Sequence, residues 1–80
     1  MTKEQKASVP TALETAEAFA ETNGLQANLT RYAEIHEIPN GTGDYGVSLF
    51  TTDAGGHEVT VSVPILIDGS MYPANGRDGL

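Results

Sequence analysis

Residues 57–68, HEVTVSVPILID, carry an apolar side chain at every second position. Successive side chains of a strand point to opposite faces. Val59, Val61, Val63, Ile65 and Ile67 therefore share one face, while Glu58, Thr60 and Ser62 share the other. A strand with one apolar face needs a cover, and in a chain of 80 residues the cover must come from the same small domain. At that size a single core supplies about 3 to 5 kcal/mol of net stability, which leaves little room for a deep active site.

Residues 9–24, VPTALETAEAFAETNG, supply a covering helix. Pro10 suits a first turn, Thr11 and Glu14 form a T-x-x-E capping box, and Gly24 suits a left-handed C-terminal position. Ala12, Leu13, Ala16, Phe19 and Ala20 gather on one side, and their small size predicts close packing on a sheet.

Two more strands are expected. GVSLFTT, residues 46–52, alternates and is joined to 57–68 by the turn DAGG. NLTRYAEIHEI, residues 28–38, fits two patterns. Leu29, Ala33 and Ile35 alternate with Thr30, Tyr32, Glu34 and His36 as in a half-buried strand, while Leu29, Tyr32, Ala33 and His36 also fit a helix. The strand is the preferred reading. Pro64 donates no ladder hydrogen bond, so it predicts an edge or a bulge. The expected architecture is α+β, with one N-terminal helix packed on a three-stranded, mainly antiparallel sheet. Residues 1–6 read as a flexible polar tail, 7–69 as a single domain, and 70–80 as an irregular tail held by Met71 or Tyr72.

Between the second and third of these segments lies NGTGDYGV, where Gly41, Gly43 and Gly46 match the G-x-G-x-x-G spacing of phosphate loops. The setting argues against phosphate. A dinucleotide loop leads into a helix, whereas GVSLFTT is strand-like, and no lysine follows Lys6. Asp44, Asp53 and Glu58 would repel a polyphosphate. The glycines are expected to supply positive φ in a turn.

Charge is the least ordinary feature. Four basic residues face eleven acidic ones, a net charge of −7. Between Ala7 and Asp68 only Arg31 is basic against nine acids, so the body carries 1 − 9 = −8. Such a body is repelled by nucleic acid and anionic membranes and attracted by basic grooves, although negative charge also keeps proteins in solution. Glu14, Glu17 and Glu21 follow i, i+3, i+7 on the helix and fall within an arc of about 60°, a carboxylate ridge with no neighbouring lysine.

Chemistry of other kinds has little to stand on. His36 and His57 lack metal-ligand spacing, no serine sits in G-x-S-x-G, and the chain has no cysteine. No catalytic residue, metal or cofactor is expected, and the histidines read as surface residues. Tyr32, Tyr45, Phe50 and Tyr72 read as packing residues first and partner anchors second. The opening MTKEQKASVP lacks the apolar run of a signal peptide and VPILI is too short to cross a bilayer, so a cytoplasmic protein is expected.

With its small cysteine-free body, the Glu14, Glu17, Glu21 ridge and further acids at Glu34, Glu37, Asp44 and Glu58, the chain resembles the small acidic anti-CRISPR proteins encoded by phages. More narrowly, it looks like inhibitors of the type I-C surveillance complex, Cascade. The resemblance is one of overall character, since these inhibitors share no common motif. It implies a binding protein in the cytoplasm of the infected bacterial host that occupies the basic channel of Cascade and blocks recruitment of target DNA. The partner face would be built from those seven acids, with no direct contact to nucleic acid or membrane. The other reading is a small phage accessory or virion interaction protein whose acidic surface is only solubilising.

Overall fold

The computed structural model describes residues 1–78. Helix α1 spans Lys3–Thr22, followed by strands β1 (Gln26–Ala27), β2 (Ala33–Glu37), β3 (Tyr45–Thr52), β4 (Glu58–Ile65) and β5 (Asn75–Asp78). Every strand pair is antiparallel. The α+β class holds, but among the described residues the sheet has five strands rather than three.

β3 is the centre of the sheet. On one side it pairs with β4, and β5 lies beyond β4. On its other side β1 and β2 follow one another, with Gln26 opposite Thr52 and Ala33 opposite Leu49. They are two halves of one interrupted edge strand. Between them residues 28–32 loop outward opposite Phe50, whose carbonyl accepts from the Asn28 N–H and whose N–H donates to the Tyr32 carbonyl. The Asn28 side-chain oxygen accepts from the backbone N–H groups of Thr30 and Arg31 and closes this loop as an Asx turn. That excursion leaves Leu29, expected to face inward, 98% exposed.

One face of the sheet packs against α1. Val47, Leu49, Val61, Val63 and Ile65 meet Ala12, Ala16 and Ala20, all buried. Alanines at four-residue spacing form a thin stripe on the helix and bring its backbone close to the sheet.

The helix begins seven residues before Pro10. Two boxes of the form T-x-x-[EQ] compete, and the one used is Thr2–Gln5: the Thr2 hydroxyl accepts from the Gln5 N–H at 3.1 Å, and Gln5 Oε1 accepts from the Thr2 N–H at 2.8 Å. Residues Lys3 to Lys6, read as part of a polar tail, are thus the first turn. Tertiary bonds decide the choice. Gln5 is 1% exposed, and its Nε2 donates to the carbonyls of Gly43 at 2.8 Å and Ile65 at 3.3 Å. Pro10 falls inside the helix, on its exposed side, and its missing N–H takes the usual helical donor from the Lys6 carbonyl. The C-terminus is as expected. Gly24 has φ +68°, its N–H donates to the Glu21 carbonyl and the Leu25 N–H to the Ala20 carbonyl, a Schellman motif.

The two later surprises share a cause. β4 ends at Ile65 because residues 66–70 turn, with the Leu66 N–H donating to the Ser70 carbonyl and Asp68 Oδ1 accepting from the Ser70 N–H and hydroxyl. Ile67, expected on the buried face, is 56% exposed. The chain then runs back beside β4, bridging Ile65 to Met71 and pairing Ser62 with Asn75. Three steps on one strand match four on the other, so an extra residue bulges around Pro73 and Ala74. Pro64 lies beside this bulge, as its missing donor requires. Part of the segment expected to be an irregular tail is therefore β5, while residues 79–80 lie outside the described residues.

Candidate acidic binding flank

The carboxylate ridge lies on the flank of α1 nearest β2. Leu13 lines a groove between the helix and that strand, and at about 100° per residue Glu17, Glu21 and Glu14 follow about 40°, 80° and 100° further round. All three glutamates are exposed. Glu17 is joined to the sheet edge, because the Tyr32 hydroxyl donates to its carboxylate. This bond, with lesser help from desolvation and from the Glu17 charge, raises the Tyr32 pKa above its usual value.

Glu34 and Glu37 lie on β2, both exposed but on opposite faces: Glu34 sits opposite Ser48 and Glu37 opposite Tyr45. The two differ in how their charge is met. Arg31 grips Glu34 through Nε at 3.0 Å and Nη2 at 2.8 and 3.0 Å, and its guanidinium carbon sits 3.8 Å from the centre of the Phe50 ring. Glu34 is thus the most strongly compensated of the predicted acids. Asp44 is half-buried at the β2–β3 turn and accepts from the Asn40 side chain at 3.3 Å, while its carbonyl accepts from the Ile38 N–H.

Glu58 does not join this flank. It begins β4 opposite Thr52, so β3 separates it from β2. Its neighbour in the hairpin is Asp53, whose carboxylate accepts from the N–H groups of His57 and Gly55 and lies 3.3 Å from His57 Nδ1. The His57 N–H is the largest of the causes holding the Asp53 carboxyl below its usual pKa.

Gly41 and Gly43 take the positive φ expected of a turn, at +76° and +80°. The loop ends in β3 rather than in a helix N-terminus. Among the described residues there is no group of three or more His, Cys, Asp and Glu side chains able to hold a metal ion. His36 Nε2 lies 2.8 Å from Ser48 Oγ, but Ser48 is 3% exposed and bonds on to Ser62 Oγ at 3.2 Å. That row links β2, β3 and β4 across the sheet, and the Ser48 hydroxyl is an internal link in it.

The sequence did not point to the groove itself. Val9, Leu13, Ala33, Ile35 and Val47 line a cleft of about 250 Å³ between α1 and β2, and Ile35 is 51% exposed. It forms because the helix packs over β3 and β4 and leaves β2 uncovered. Ile35 was legible as an inward-facing strand residue, but where the helix axis would lie was not. Tyr32 was hidden as a partner of Glu17, since no local pattern joins a loop to a helix 15 residues away in sequence, whereas Arg31 and Glu34 are only three residues apart.

Among the described residues no helix is long and apolar enough to cross a membrane. Comparison with protein-family models, with curated proteins and with solved structures finds no match.

Proposed function

We propose that this chain is a non-catalytic binding protein whose acidic flank competes with DNA for a basic groove, and that its target is the DNA channel of type I-C Cascade in the cytoplasm of an infected bacterial host. One observation carries the reading: Glu14, Glu17 and Glu21 form an exposed ridge on α1 that the Tyr32 bond to Glu17 ties to the sheet edge, where β2 adds Glu37 on the face towards the helix and Glu34 on the face away from it. Lysines and arginines that hold phosphates are satisfied by fixed carboxylates in the same way. Asp44 extends the flank at the turn. Glu58, on the far side of β3, contributes only to the overall field.

The test is a gel-shift assay of purified type I-C Cascade with target DNA, adding the protein before the DNA and repeating at raised salt. Loss of the shifted band, with inhibition weakening as salt rises, is the expected result. A chain carrying Glu14→Lys, Glu17→Lys and Glu21→Lys should fold, by circular dichroism, and fail to inhibit. Full inhibition by that folded variant overturns the flank, and an unchanged shift with the parent overturns DNA exclusion.

The exposed Ile35 groove favours a second reading, a phage accessory or virion interaction protein whose acids only keep it in solution. Incorporation into particles, with no effect on DNA binding by Cascade, would select it.

A further inference from the structure

Beyond target binding, the geometry of β2 points to a specific mode of self-association. We propose that the free edge of β2 pairs with the same edge of a second copy of this chain, antiparallel and centred on Ile35.

The hydrogen-bonding direction of β2 is fixed by its flanks. Tyr32 accepts from the Phe50 N–H and Ile38 donates to the Asp44 carbonyl, so the backbone groups of Tyr32 and Ile38 face β3. Backbone groups alternate along a strand, so Glu34 and His36 also face β3, and the N–H and C=O groups of Ala33, Ile35 and Glu37 face outward. Among the described residues no strand pairs with that side. An open edge with an apolar residue at its middle is a template for strand addition.

The sequence of the strand, AEIHE, selects the partner. In a symmetric antiparallel pair, outward-facing residues must meet outward-facing residues. Centring on Ile35 places Ile35 opposite Ile35 of the second copy and Ala33 opposite Glu37, so all three outward residues of each strand are used. On the other face it sets Glu34 against His36 twice, a carboxylate against an imidazole. Centring on Glu34 instead would set two carboxylates face to face and leave Glu37 without an outward partner, and centring on His36 would leave Ala33 without one. On the groove side the two Ile35 side chains cover one another, while the small Ala33 leaves room for Glu37. The charge of −7 on each copy opposes approach at long range, and salt screens that repulsion over about 10 Å at 0.1 M. Raised salt is therefore expected to favour this pairing while it weakens binding to a basic groove.

A chain without cysteine allows a direct test of register. Sedimentation of the native chain at raised salt is expected to show a monomer passing to a dimer as concentration rises. Under a mild oxidant at the dimeric concentration, Ile35→Cys is expected to shift to a disulfide-linked dimer, since facing residues of such a pair have Cα atoms about 5.5 Å apart, within disulfide reach. Glu37→Cys faces Ala33 of the other copy and lies about 13 Å from its own counterpart, so it should remain unlinked. Both positions are exposed and neither substitution disturbs the core. A native chain that stays monomeric at every concentration overturns the proposal, as does linking of Glu37→Cys as readily as Ile35→Cys.

Discussion

The Tyr32 hydroxyl donates a hydrogen bond to the carboxylate of Glu17, and through it the loop before β2 is fastened to the middle of α1. The groups come from elements that otherwise touch little, since the helix lies over β3 and β4. A phenol that donates to a carboxylate holds its proton, because ionisation would lose the bond and set two negative charges side by side.

Tyr32 should therefore ionise above the usual value of about 10. The sign follows from linkage. A raised pKa in the folded state stabilises the fold fully below about 10, and that contribution is lost as the pH rises through the raised value. Tyr32 is 41% exposed, so solvent weakens the effect and the titration is a better readout than stability. Ultraviolet titration of the parent should show one late component that disappears in Tyr32→Phe and moves to lower pH in Glu17→Gln. A late component that survives in Tyr32→Phe would assign it elsewhere.

Gln5 is expected to be the most sensitive polar residue of the helix. Its side chain closes the N-terminal cap and spans to the Gly43 and Ile65 carbonyls, and replacing it with Leu leaves these groups without their donor in a dry site. The loss of a buried hydrogen-bond partner costs about 1 to 3 kcal/mol, and the broken cap adds about 1 kcal/mol. Urea unfolding of Gln5→Leu should show a loss of at least about 2 kcal/mol, against about 1 kcal/mol for Thr2→Ala. Equal losses in the two variants would mean that the cap alone matters.

Those bonds explain where the sequence could and could not be read. Val59, Val61, Val63 and Ile65 were legible because a period of two is enforced over a whole strand, and Ala12, Ala16 and Ala20 because a helix repeats its face every turn. The helix start was not legible: Thr2–Gln5 and Thr11–Glu14 are equivalent in sequence, and only the reach of Gln5 to residues far along the chain separates them. Nor was β5, where Asn75–Asp78 has no apolar alternation and is ordered by the edge that β4 offers. Its Gly76 lies under Phe19, whose Cε1 would be 3.2 Å from an added Cβ. For the acidic flank the residue types were plain while their grouping was not, since it depends on which edge of the sheet the helix leaves open.

Gly69 and Gly24 form a pair that separates two reasons for needing glycine. Both have positive φ, +88° and +68°, a region in which an L side chain costs about 1 to 2 kcal/mol. They differ in surroundings. A Cβ added at Gly24 meets nothing within 4 Å, whereas one at Gly69 would lie 2.9 Å from the Glu4 carbonyl oxygen and 3.0 Å from Glu4 Cβ. Backbone of the first helical turn cannot yield cheaply, because Ser8, one turn on, donates to the Gly69 carbonyl at 2.6 Å and Gln5 is held on the other side. Gly24→Ala should thus lose about 1 kcal/mol, and Gly69→Ala should lose that amount plus a steric term of about 1 to 3 kcal/mol. Amide exchange would locate the difference: Gly69→Ala should speed exchange at Lys6, whose N–H donates to the Thr2 carbonyl, and Gly24→Ala should speed it at Leu25, whose N–H donates to Ala20. Equal destabilisation by the two variants would show that the turn at Gly69 moves freely away from α1, and that the contact with Glu4 does not anchor the helix N-terminus.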